Sequence, residues 1–202
     1  MSGPAPTKHI DILWAAVRLF AQKGVAQTST REIAAAASTT ERTLFKHYGS
    51  KDALAHAVIA QAVLPHLAPT SLDDLRRLIE ARHGDIAAWH LALLERRDAA
   101  IAEAPELTRL LLVELLRDAS LRDRFTSQWE PGVWRPLAAL FTQLQAEGRL
   151  RRDLPAQALV RMFLSLNLGY LVARHVLAPG LDWRAAEERT AIASLFARGA
   201  AA

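Results

Sequence analysis

Two amphipathic segments of about seven residues, Arg31–Ala37 and Glu41–His47, are joined by the three polar residues Ser38, Thr39 and Thr40. Helices this short bury too little surface to persist alone. They need a third helix behind them, and the upstream stripe of Ile10, Leu13, Trp14, Val17, Phe20 and Ala21 supplies one. Gly24 is placed to end that helix in a left-handed cap, Thr28, Ser29 and Thr30 offer N-caps for the next, and Thr40 and Ser50 for the two after it. Ile33 and Leu44 are expected to point inward, with small Ala34 and Ala37 allowing close approach of the two axes. Short helix, tight turn and second short helix make a helix-turn-helix, whose second helix enters the major groove of DNA.

The remaining periodicity is helical as well, without a credible alternating strand. Ser50 opens a helix from Lys51 to about Leu64, and Pro65 to Ser71 marks a module boundary. Further helices are expected over 72–83, 85–103, 106–117, 118–148, 155–178 and 183–198, punctuated by Gly84, Pro105, Gly148, Pro155 and Pro179-Gly180. Pro131 and Pro136 must kink or split the 118–148 segment. The expected fold is all-α, with a helix-turn-helix domain over residues 1–65 and a larger helical domain over 66–202.

Composition narrows the function. With no cysteine among 202 residues, disulfides, thiol catalysis and cysteine zinc sites are excluded. No unbroken run of about 18 apolar residues is present, so no membrane span is expected, and the polar Met1–Thr7 lacks the apolar core of a signal peptide. A cytoplasmic location is the expectation. Of the +4 net charge, +3 falls in residues 1–60, and all four lysines lie within the first 51 residues. A basic head on a nearly neutral body suggests contact with a polyanion at one end.

The second short helix turns Glu41, Arg42, Thr43, Phe45, Lys46 and His47 outward. Arg42 can pair with guanine O6 and N7, and the Thr43 methyl or the Phe45 ring can touch a thymine methyl. Thr40 at a helix N-terminus suits a phosphate oxygen, and Lys51 begins the next helix beside the same backbone. Residues 10–58 resemble the DNA-binding domain of TetR-family transcriptional regulators. The resemblance is carried by Ala16 to Phe20 before Lys23-Gly24, by Thr30-Arg31-Glu32-Ile33-Ala34, by Thr43-Leu44-Phe45-Lys46-His47-Tyr48, and by Ser50-Lys51-Asp52-Ala53-Leu54. It implies base contacts from Arg31, Arg42, Thr43 and Phe45, and phosphate contacts from Thr30, Thr40, His47, Tyr48 and Lys51. Three positions depart from the family pattern: Ser38 replaces the turn glycine, Arg42 a small residue, and Gly49 a proline. Ser38 obliges the turn to accommodate a Cβ.

Residues 66–202 hold no nucleophile elbow, phosphate loop or zinc-protease helix. One Glu-x-x-His pair, Glu80 and His83, is too little for a di-iron bundle, so neither metal nor cofactor is expected. Helix 155–178 is apolar almost all round and must be covered on every side. A second copy of the chain is the expected cover, through a four-helix interface with helix 183–198. The resemblance implies the same pairing. Trp89, His90, Phe125, Trp129, Trp134, Phe141, Phe163, Asn167, Tyr170 and Arg174 are the candidate lining of a small-molecule site, aromatic with a few polar groups. An acidic or carbonyl group of the ligand would lie near Arg174. The expected function is a dimeric transcriptional repressor, not an enzyme, released from a near-palindromic operator by a small hydrophobic effector. A ligand-independent DNA binder and a helical-bundle enzyme with a vestigial head are the rival readings.

Overall fold

The computed structural model describes residues 8–63, 77, 80, 81 and 85–202. Met1–Thr7, the boundary at Pro65–Ser71, nearly all of the expected helix 72–83, Gly84 and His83 lie outside the described residues. Chain contacts define two compact units: Met1–His66 with Glu106–Asp123, and Leu67–Pro105 with Arg124–Ala202. The described residues are helical, and their bridge pairing is limited to Leu150 with Ala201.

In the first unit, α1 (Lys8–Gln27) packs on α2 (Thr30–Ala36), α3 (Glu41–Tyr48) and α4 (Lys51–Val58), which runs on into a wide π turn at Ile59–Val63. Gly24 breaks α1 at φ +82°, and the Thr28 hydroxyl donates to its carbonyl at 2.8 Å. Ile12, Phe20, Ile33, Leu44, Leu54 and Val58 are buried at the centre, each contributing about 1.5–3 kcal/mol through burial. The stripe of α1 is rotated from its expected position. Ile12, Ala15 and Ala16 lie inside, whereas Ile10 and Trp14 emerge at 44% and 48% exposure. The alanines let neighbouring helices approach on that side, and the larger side chains are left at the edge of the contact.

Helix α6 (Pro105–Arg117) joins this unit from Glu106 onward, although its sequence lies well past the boundary expected near residue 65. Its Arg109 guanidinium donates to the Ala21 carbonyl at 3.2 Å. Just beyond it, Asp118 accepts from His56 Nε2 at 2.9 Å; that contact, with Ser120 and the Leu121 N–H, holds the Asp118 carboxyl well below its usual range.

The second unit is built from α5 (Ile86–Glu103), α8 (Arg135–Ala146), α9 (Ala156–Val172) and α10 (Ala185–Ala200), with α7 (Ala119–Trp129) entering it at Arg124. Asp85 caps α5 by accepting from the Ala87 and Ala88 amides. The expected 118–148 segment is split: a π turn at Glu130–Trp134 separates α7 from α8, where Pro131 and Pro136 each remove a backbone donor. A second π turn, Ala173–Leu177, extends α9. The core joins Trp89 and Leu93 to Leu137, Leu140, Phe141, Leu159, Phe163 and Phe196.

Candidate functional site

The geometry of the helix-turn-helix follows from its caps. Ser29 and Glu32 form a reciprocal capping box: the Ser29 hydroxyl accepts from the Glu32 amide at 3.2 Å, and the Glu32 carboxylate accepts from the Ser29 amide at 2.8 Å. Lys23, at 2.5 Å, is the main reason that the Glu32 carboxyl is held down at about 2, with the Ser29 amide and hydroxyl adding to it. In the turn, the Thr39 amide reaches back to the Ala34 carbonyl at 2.9 Å and Ser38 takes φ +49°. That left-handed conformation crowds a Cβ. Ser38→Gly is therefore expected to stabilise the unit by about 0.5–1 kcal/mol in urea unfolding. A lower midpoint with the variant would contradict this account of the turn.

Thr40 caps α3 by accepting from the Thr43 amide at 3.3 Å, and its hydroxyl lies 3.1 Å from that of Thr43. Leu44 is the buried residue that hangs α3 on the core, so Arg42, Phe45, Lys46 and His47 face solvent, Phe45 at 44% exposure. Arg31, Arg42 and Lys46 are exposed and have no ion pair among the described residues. Other candidates have internal partners. The Thr30 hydroxyl donates to Glu41 at 2.5 Å, and the Tyr48 hydroxyl to the His9 carbonyl at 2.9 Å. The Lys51 ammonium donates to the Val25 and Thr28 carbonyls at 3.0 and 3.1 Å, tying down the end of α1 and leaving one N–H outward. Sequence reasoning missed Lys8 and His9. The His9 ring stacks on Tyr48 at 5.1 Å and lies 6.1 Å from His47, while Lys8 reaches the Ser38 carbonyl at 3.4 Å. The start of α1 thus belongs to the surface of α3, a contact across 38 residues that local pattern does not encode.

In the second unit the ten proposed lining residues separate into five sets with different surroundings. Trp89, Phe141 and Phe163 are fully buried and pack on one another, with ring centroids 5.3 to 6.2 Å apart. Phe125, Trp129 and Trp134 form a partly exposed strip with spacings of 6.5 and 5.9 Å, and the Arg161 guanidinium sits 5.4 Å from the Trp134 ring centre. Tyr170 meets Trp183 edge-on at 5.8 Å. Arg174, the expected partner of an acidic ligand, instead lies 3.1 Å from Asp98. Asp98 also receives His175 at 2.7 Å and Arg189 at 2.5 Å, so this buried carboxylate already compensates Arg174. His90 is fully buried and its Nε2 contacts Asn167.

Residues 12–58 match the bacterial regulatory proteins of the tetR family. Over those residues the chain is similar to the tetR family. Over 110 residues it is 34% identical to the HTH-type transcriptional repressor Rv3405c of Mycobacterium tuberculosis, a match covering 48% of this chain and 57% of that relative. The chain thus spans little more than half the length of that relative. SmeT, the repressor of the Stenotrophomonas maltophilia multidrug efflux pump SmeDEF, superposes with a TM-score of 0.70 at 18% identity, covering 98% of this chain and 91% of SmeT. NalD, the secondary repressor of the MexAB-OprM multidrug efflux pump in Pseudomonas aeruginosa, gives 0.70 at 19% identity, covering 96% and 95%. At these identities the likeness establishes the fold.

The second unit also carries an open apolar groove of about 360 Å³ between α9 and α10, lined among others by Met162, Leu166, Leu195 and Gly199. Met162 and Leu195 are 49% and 59% exposed. Ala156–Leu177 is long and apolar enough to cross a membrane by length and composition, a test that the core helix of a soluble protein also passes. Its Leu159, Val160 and Phe163 are nevertheless buried in the core of the second unit, and Arg161 and Arg174 interrupt it.

Proposed function

We propose that this chain is a cytoplasmic, homodimeric DNA-binding repressor that releases a near-palindromic operator when a small hydrophobic effector binds its second unit. The observation that carries the DNA-binding reading is the outward face of α3: Arg42 and Lys46, without ion pairs among the described residues, beside a half-exposed Phe45, on a helix fixed by Leu44 and the Thr40 cap. Unpaired cations serve phosphate attraction, while a bidentate guanidinium and an aromatic edge read bases. Dimerisation is supported by the apolar groove of α9 and α10, which a second copy would cover with its own equivalent face. Two copies of α3 would then lie about 34–36 Å apart, one turn of DNA. Repression is supported by the relatives, because Rv3405c is a transcriptional repressor and SmeT and NalD repress multidrug efflux pumps. The effector needs only different affinities for the two arrangements, and a coupling of about 1–3 kcal/mol changes operator affinity roughly 5–150-fold.

Selection of bound duplexes from a random pool tests this reading. Two inverted half-sites are expected to emerge, and a pool that stays random at low ionic strength would refute it. Arg42→Ala is expected to weaken binding to the selected site by about 1–3 kcal/mol and to relax one base position per half-site. Unchanged selectivity would remove Arg42 from the base-reading set.

A further inference from the structure

Around α3, the fold already engages several of the donors whose residue types suit a phosphate. Thr30 gives its one hydroxyl proton to Glu41 at 2.5 Å, and two of the three N–H groups of Lys51 go to the Val25 and Thr28 carbonyls. Tyr48 gives its one phenolic proton to the His9 carbonyl at 2.9 Å. Burial pushes the Tyr48 phenol up, so it keeps that proton. A phosphate diester oxygen accepts and does not donate. While the bond to His9 stands, the Tyr48 hydroxyl therefore has nothing to offer it.

The same bond brings another donor to the surface of α3. It holds the start of α1 against the last residue of α3 and lays the His9 ring on that of Tyr48, with centroids 5.1 Å apart and planes 12° from parallel. Stacking occupies a face of the imidazole, whereas its two nitrogens lie at the ring edge. Among the described residues neither nitrogen of His9 has a hydrogen-bond partner. The ring is partly buried and stands edge-on, 6.1 Å from the exposed ring of His47. Lys8, its side chain half exposed, lies 3.4 Å from the Ser38 carbonyl and 3.5 Å from Asp11. The first two residues of α1 thus touch both the turn before α3 and its last residues. Basic groups gathered on one accessible surface attract a polyanion.

We infer that His9 contacts the DNA backbone, donating a ring N–H to a phosphate oxygen, and that Tyr48 acts through it, as a positioning residue whose hydroxyl and ring hold His9 in place. This rests on the DNA-binding reading of α3 and moves a phosphate contact from Tyr48 to a residue on another helix. An imidazole beside a phosphate is favoured in its charged form, so the contact carries one cation to the duplex.

The full chain is tested at pH 6 with a labelled duplex carrying the selected site. Fluorescence anisotropy is read over a series of salt concentrations, and circular dichroism checks that each variant is folded. His9→Ala is expected to weaken binding about tenfold and to reduce the slope of log K against log salt by about one unit. His9→Lys should restore most of that slope, which a residue that merely packs α1 would not do. Tyr48→Phe keeps the stacked ring and loses the hydroxyl. It is expected to weaken binding about threefold in the wild-type chain and to have no further effect in the His9→Ala chain, because it works through His9. An equal Tyr48→Phe penalty in both backgrounds would return the phosphate contact to the tyrosine hydroxyl and overturn the inference. So would a His9→Ala variant with unchanged affinity and slope, or a slope that His9→Lys leaves unrestored. If the wild-type chain binds the duplex and the His9 variants match it, only this assignment fails. If the wild-type chain binds no duplex at low ionic strength, the DNA-binding reading fails and takes this assignment with it.

Discussion

Leu195→Glu should leave the protein folded but monomeric, and lower its affinity for a duplex bearing two half-sites by about 100-fold or more. Leu195 is 59% exposed on α10 and lines the apolar groove, so a carboxylate there costs the isolated chain little. In a symmetric dimer the same change enters the interface twice, and each unpaired charge loses its hydration there. A monomer keeps one recognition helix and forfeits the gain from holding the second nearby. Analytical ultracentrifugation, circular dichroism and fluorescence anisotropy with the selected duplex measure the three expectations. A variant that remains dimeric at micromolar concentration would place the partner elsewhere than on α9 and α10.

The second large effect is a dependence of stability on pH that centres on His90. Burial lowers its folded pKa to about 4, against about 6.5 in the unfolded chain. The unfolded state therefore takes up a proton at a pH where the folded state does not. Stability from this group is fully present above about pH 6.5 and is lost as the pH falls toward 4, by about 3 kcal/mol in all. His90→Phe suits the site because Phe163 and Phe196 pack around the ring at 4.6 and 5.3 Å, and it removes the titration. Urea unfolding at pH 7 and pH 4.5 should show wild type losing more stability than the variant between the two conditions. The carboxylates Glu32 and Asp118 are common to both proteins, so their contributions cancel in the comparison. Equal losses would mean that the imidazole reaches water or a partner in the folded state.

Much of the first unit was legible in the sequence because its signals are local. Ser29, Thr40 and Ser50 are side chains that cap within three residues, and Gly24 and Gly49 take the positive φ that ends a helix. Ile33 and Leu44 were placed inside by periodicity, and both are fully buried. Periodicity fixes a stripe only to within one position either way, and for that reason Ile10 and Trp14 fell on the wrong side of its edge. Contacts between distant residues left no trace. Nothing near Asp118 or Arg109 announces His56 or the Ala21 carbonyl, and nothing near Arg174 announces Asp98, which lies on another helix. The same blindness hid the internal partners of Tyr48 and Lys51: their residue types suit phosphate contact, but only the fold brings the His9, Val25 and Thr28 carbonyls to them. In the second unit, aromatic content marked a cluster without telling ring-on-ring packing from a lined cavity.

The claim beneath all of this is that α3 is the surface that meets duplex DNA. Titrating the isotopically labelled full chain with a short duplex at low ionic strength, and following its backbone amides by nuclear magnetic resonance, tests that claim residue by residue. The account predicts fast, saturable shifts concentrated on Glu41–Tyr48, the Ser29–Arg31 cap and the start of α1 at Lys8 and His9. Shifts absent from α3 at saturating duplex, or confined to α9 and α10, would contradict it.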